Sequence, residues 1–248
     1  MAAIAPGRDS ELLRYLAVRG LRPGDRLPAI RELAEELGVS AGKLREQLEV
    51  ARVLGLVEVR PKTGIRAANY AFFASAWFSL RHALALDSAF FEQFEALRTH
   101  VEAAFFHEAA ELLLPEDHQH LQHLVQRAWT LLQGDPIQIP HAEHREFHLT
   151  IFGRLDNTFV RGILEAYWEA YDTVGLSLYA DYGFLHEVWT YHEQMVDRIV
   201  AGDFDSAYRV MKEHIGLVQY RPRLARRPGG LADDAPTSAP KTRRGVVR

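Results

Sequence analysis

The chain has 248 residues, 48% of them hydrophobic and 25% charged, with a net charge of −4, a globular composition for one large domain or two small ones. It contains no cysteine, which excludes disulfides and thiolate-bound zinc and leaves histidine and carboxylate as metal ligands. No stretch approaches the roughly 18 apolar residues of a membrane span, and the first eight residues are too short and too weakly apolar for a signal peptide, so a cytoplasmic location with no membrane partner is expected.

The charge is unevenly spread. Residues 1–66 carry 12 Lys and Arg against 9 Asp and Glu, residues 67–219 carry 9 against 22, and residues 220–248 carry 8 against 2. A weakly basic first part joined to a strongly acidic second part suggests that only the first meets a polyanion.

In chain order, residues 9–19 read as a short amphipathic helix with Leu12, Leu13 and Leu16 on one side and Gly20 as its stop. Pro23-Gly24 marks a turn. Ile30, Leu33, Ala34 and Leu37 then recur at helical spacing up to Gly38. Ser40 caps the next helix, whose Leu44, Leu48 and Ala51 point inward. Two short helices joined by a tight glycine turn make a helix-turn-helix. Residues 56–60 alternate as a strand, residues 61–64 turn, and residues 65–67 return, which makes a wing. Cations gather where such a domain meets DNA: Arg31 on the first helix of the pair, Lys43 and Arg45 at the start of the second, and Arg60, Lys62 and Arg66 on the wing.

The run from Leu21 to Ala67 resembles the winged-helix domain of GntR-family bacterial regulators. The residues that carry the likeness are Leu21 to Ala34, Leu37-Gly-Val-Ser40, Leu44-Arg-Glu-Gln-Leu48, Gly55-Leu-Val57 and Thr63-Gly64. The resemblance implies that Arg31 and Arg45 contact DNA and that Thr63-Gly64 form the wing tip in the minor groove. Ser40, Lys43 and Lys62 complete the expected DNA-binding set. The family usually has an arginine directly after the capping serine, whereas Ala41-Gly42 stand there in this chain. A fork able to take guanine O6 and N7 is thereby replaced by a small residue and a nearby point charge, Lys43.

Beyond residue 69 the pattern is almost all helical, broken by Pro115, Gly134-Asp-Pro136, Asp156-Asn157, Gly183 and Gly202-Asp203. The fold class expected is therefore mainly α. A winged helix-turn-helix domain (1–69) precedes an all-helical bundle of six or seven helices (70–220), and a disordered basic tail follows (221–248). Within the bundle, His144 and His148 are four residues apart and share a helix face. His192 and His214 stand in later helical segments, so packing of those helices could bring four imidazoles together. Trp168, Tyr171, Trp189 and Tyr191 are read as core residues, and His118, His120 and His123 as a solvated face.

Residues 75–217 resemble the FCD effector domain of the FadR subgroup, through Leu97-Arg98 with Glu102, Phe147-His148 with Asn157, and His192, Gly202-Asp203, Met211 and His214. In many members an Asp and three His bind a divalent metal. By the resemblance those positions are His144, His148, His192 and His214 here, with histidine in place of the Asp. A nitrogen-only set suits Zn or Ni far better than Mg or Ca. The resemblance also puts Arg98 in the effector pocket, where its fork could hold a small organic acid; a plain helical pair of Arg98 with Glu102 is the alternative. The function expected is a homodimeric, ligand-responsive repressor that binds double-stranded operator DNA. The rivals are a metal-dependent enzyme using the four histidines, against which no His-Glu-x-x-His run is present, and a DNA-binding protein whose metal is purely structural.

Overall fold

The computed structural model describes residues 10–60, 64–175 and 181–219. Ten helices and one two-stranded sheet lie among them. The expected tail at 221–248 and the wing residues Lys62 and Thr63 lie outside the described residues.

The first three helices end where local chemistry ends them. Ser10 caps α1 (Glu11–Arg19) by accepting from the Leu13 amide at 3.2 Å, and Gly20 closes it at φ 60°. In α2 (Ile30–Leu37) Gly38 does the same at φ 67°. Ser40 caps α3 (Ala41–Val53) through a 3.1 Å bond from the Lys43 amide. The antiparallel strands β1 (Val57–Arg60) and β2 (Gly64–Ala67) form the wing, with Val57 opposite Ala67. These elements enclose one core of Leu12, Leu33, Leu44, Leu48, Ala51, Val57 and Ile65. The stretch read as a turn at residues 21–28 does more than reverse the chain. Arg26 bridges Arg66, and the Leu27 amide donates to the Ile65 carbonyl at 3.0 Å, so it lines the outer edge of the wing.

Seven helices follow: α4 (Phe72–Leu86), α5 (Phe90–Glu111), α6 (Pro115–Leu132), α7 (His141–Ile151), α8 (Thr158–Thr173), α9 (Tyr182–Val200) and α10 (Phe204–Gln219). Pro115 opens α6 at its first position, where its missing N–H costs nothing. Asn157 caps α8 by accepting from the Phe159 and Val160 amides, both at 3.1 Å. The bundle holds two buried groups. The larger is built around Phe106, Leu121, Phe147, Leu164, Trp189 and Met195. The smaller joins Leu80 and Phe91 to Tyr167, Trp168 and Tyr171 of α8. Helix α4 packs closely along α8, and Gly162 makes this possible: a Cβ there would sit 2.6 Å from the Phe73 amide nitrogen. At this same first turn α4 also meets the winged helix, where Gly55 lies against Ala71 and Ala74. No described helix is long and apolar enough to cross a membrane.

Candidate functional site

Three helices bring the four histidines together. His144 and His148 project from one face of α7, His192 comes from the middle of α9 and His214 from α10. One ring nitrogen from each lies within 4.8 Å of all the others. Nitrogens on a tetrahedral zinc stand about 3.3–3.4 Å apart, so the widest pair of the set would close by up to about 1.4 Å to share one ion. All four are buried, from 9% exposed for His144 to 0% for His192. The enclosing wall is aromatic: Trp168 stands edge-on to His144 at 4.8 Å, Trp189 to His192 at 4.7 Å, and Phe147 lies 4.3 Å from His192 between ring centres. Trp168, Trp189 and Tyr171 are core residues as expected and line the histidine cluster at the same time; Tyr191 is half-buried.

The chemistry of this donor set fits a transition metal. Both ring nitrogens of His192 and the Nε2 of His148 are buried and lack a hydrogen-bond partner among the described residues. Leaving such groups unsatisfied is costly, and a metal ion would give a partner to a ring nitrogen that carries no proton. Burial, together with the positive charge that His214, His148 and Arg98 would place nearby, pushes the His192 imidazole well below the usual histidine range. Burial also lowers His148, partly offset by the Glu102 carboxylate. Both rings are therefore held neutral, the form that coordinates metal.

One ion pair stands behind the histidines. Arg98 and Glu102 of α5, 3% and 0% exposed, meet at 2.8 Å. Arg98 Nη2 also donates to His148 Nδ1 at 3.0 Å, and Glu102 Oε1 lies 3.3 Å from that same nitrogen. The guanidinium packs over the Tyr167 ring at 4.7 Å. Burial pushes the Glu102 carboxyl up, but Arg98 and His148 outweigh it and hold it below the usual carboxylate range. The alternative reading of Arg98, a helical pair with Glu102, is the one seen, and the pair stands against a histidine of the cluster. The contact of Glu102 with His148 is what sequence reasoning missed, since helical spacing relates Glu102 to Arg98 but not to α7.

Other acidic residues near the histidines in sequence are committed elsewhere. Glu143 pairs with Arg127 at 2.9 Å and Glu146 with His120 at 2.8 Å, so neither is placed to serve as a general base. His118 and His120 are half-buried and His123 is exposed. Asn157, part of the family pattern, serves as a helix cap.

In the winged helix, Arg31 is almost fully exposed and rests only 3.4 Å from Glu35. Arg45 is exposed with no ion-pair partner among the described residues. Lys43 is engaged: its ammonium pairs with Glu11 of α1 at 2.8 Å. Lys43, Glu11's own backbone and Gln47 together hold the Glu11 carboxyl down at about 2. Gln47 also accepts from the Leu12 amide at 3.0 Å, a role its place on the buried face of α3 could have signalled. The Ser40 hydroxyl is spent on its cap, Arg60 pairs with Glu58, and Arg66 donates to the Gly24 carbonyl. Gly64 takes a φ of 79° at the wing turn, with Arg26 beside it.

Residues 10–66 match the gntR family of bacterial regulatory proteins, and residues 93–217 match the FCD domain. The chain belongs to the GntR family. It is a DNA-binding transcription regulator of the GntR/FCD type, in a family of regulators and not of enzymes. Among curated relatives, the Uxu operon regulator of Haemophilus influenzae is 25% identical over 223 residues, covering 86% of this chain and 80% of that protein. A solved GntR structure from Streptococcus agalactiae shares the fold at 20% identity and a TM-score of 0.56, covering 84% of this chain and 95% of that one.

Proposed function

We propose that this GntR/FCD regulator is a cytoplasmic, homodimeric repressor whose helical bundle holds a divalent transition metal, Zn or Ni, and a small organic acid. The observation that carries the reading is the convergence of four buried imidazoles from α7, α9 and α10. His144, His148, His192 and His214 would be the protein ligands, and the ion would supply a positive centre for an anionic group. An acid carboxylate is the expected effector class, since Arg98 keeps a buried Nε without a partner among the described residues. The division into a DNA-binding unit (1–69) and an effector unit (70–220) is supported by their separate cores.

The DNA-facing set is Arg31, Ser40, Lys43, Arg45, Lys62, Thr63 and Gly64, with α3 in the major groove. A single winged helix reads one half-site, so the operator would be a short near-palindrome bound by a two-fold dimer. Exposed Arg31 and Arg45 are the leading contacts; Lys43 would have to leave Glu11 to join them. A relative named as an operon regulator accords with this reading.

The test is calorimetry with mono- and dicarboxylates and sugar acids on metal-loaded, metal-free and Arg98→Ala protein, followed by gel shift on the DNA upstream of its own gene. Acids that bind only the metal-loaded wild type and change operator affinity support the reading. Equal binding to all three proteins, or binding of neutral compounds only, sinks the acid assignment. Metal without any small-molecule response would make the site structural.

A further inference from the structure

We propose that Arg98 selects the tautomer of His148, so that loading the metal moves the ring proton from Nε2 to Nδ1 and detaches Arg98 from the ring. The inference rests on the metal reading above. Its ground is the crowding at one atom: Nδ1 of His148 faces Arg98 Nη2 at 3.0 Å and Glu102 Oε1 at 3.3 Å.

Those two neighbours make opposite demands. Arginine only donates, so its bond requires a bare Nδ1 and puts the ring's single proton on Nε2. A carboxylate only accepts, so a bond to Glu102 requires Nδ1–H and leaves Nε2 bare. The shorter contact is the one to Arg98, and Glu102 Oε1 lacks a hydrogen bond in this arrangement. Without metal, then, the proton sits on Nε2, the nitrogen that has no partner among the described residues. Coordination through Nδ1 is excluded, because a guanidinium already occupies that side. The ion must take Nε2, and Nε2 must first lose its proton.

The proton inventory closes without any other reactant. His148 carries one ring proton before and after, on Nε2 without metal and on Nδ1 with it. The relocated proton points at Glu102, which becomes the carboxylate that orients a metal-bound histidine. Arg98 Nη2 now faces an N–H instead of a lone pair. It keeps Glu102 Oε2, at 2.8 Å, and releases the donor that His148 had used. The metal thus frees an arginine donor beside itself, where an anion can use it. Arg98 is a positioning residue for the ligand set before it is a contact for the effector.

The experiment is long-range 1H–15N correlation of the histidine rings in the full chain, with His148 assigned by its absence from the His148→Gln spectrum. Metal-free protein should show a protonated Nε2 and a bare Nδ1, and zinc should reverse them. Arg98→Met should show the proton on Nδ1 already without metal, and should bind zinc severalfold more tightly, whereas a merely structural role for Arg98 would weaken binding. A protonated Nδ1 in metal-free wild type overturns the proposal whether or not Arg98→Met folds. Zinc that perturbs all four rings but leaves Nδ1 bare overturns the switch alone. Zinc that perturbs no ring overturns the metal reading and the switch with it.

Discussion

At the scale of single residues, the proposed ligand set of four histidines differs from the Asp and three His that the resemblance implied. None of the proposed ligands is a carboxylate, and the nearby carboxylate of Glu102 is paired with Arg98. An ion there would keep most of its charge, in a site too soft for Mg. The His148→Ala, His214→Ala double variant should lose bound Zn or Ni; elemental analysis at wild-type metal content would put the site elsewhere. The pH dependence follows from burial. Protons compete with metal for imidazole, and His148 and His192 are both held below the ordinary value of 6.5. Metal affinity should therefore persist to a lower pH than exposed histidines would allow, since those begin to lose metal near their ordinary value of about 6.5. A decline that begins above neutrality would contradict this. In the DNA-binding half, Arg45→Ala should cost about 1–3 kcal/mol if it pairs with a guanine. Unchanged operator affinity in both Arg31→Ala and Arg45→Ala proteins would remove these residues from the interface.

At the scale of elements, Glu11 ties α1 to the start of α3 through Lys43 and Gln47. Its folded value of about 2 lies below the unfolded 4.5. The group thus adds stability above the unfolded value and loses it as pH falls toward the folded one. The melting-temperature gap between wild type and Glu11→Gln should narrow as pH drops from about 6 to about 3, and a constant gap would mean that the pair contributes nothing by charge. This pair also shows what the sequence conceals. The helices themselves were legible, because Ser10, Ser40, Asn157, Gly20 and Gly38 are cap residues at each end. The histidine set was half legible: spacing put His144 and His148 on one face, while their meeting with His192 and His214 depended on packing that the family resemblance supplied. Partners across helices were not legible. Lys43 reads from the sequence as a DNA-facing cation, and nothing local points to its pairing with Glu11, 32 residues away. Helix α4 is apolar on most of its surface, so its pattern could not say that α8 is its partner.

At the scale of the whole molecule, α8 connects the two halves. It carries Trp168, which touches His144 and His148, and Tyr167, which supports Arg98. Along its length runs α4, whose first turn lies against Gly55 of the winged helix. A change in the histidine cluster can therefore reach the DNA-binding half through one packed pair of helices, provided the ligand prefers one packing over the other. Gly162 is the place to test this. A methyl group there meets the backbone of Phe72 and Phe73 at 2.6–2.9 Å, and backbone cannot swing aside as a side chain can. Gly162→Ala should push α4 off α8 and cost about 1–3 kcal/mol of stability by overpacking. It touches none of the histidines, so zinc content should stay at the wild-type level. What should shrink is the factor by which an acid effector changes operator affinity, typically about 5- to 150-fold for coupled sites. Gel shifts with and without the acid, on zinc-loaded wild type and Gly162→Ala, measure that factor directly. An unchanged factor in a variant that melts several degrees lower would mean that the signal leaves the cluster by another helix, such as α10, which carries His214.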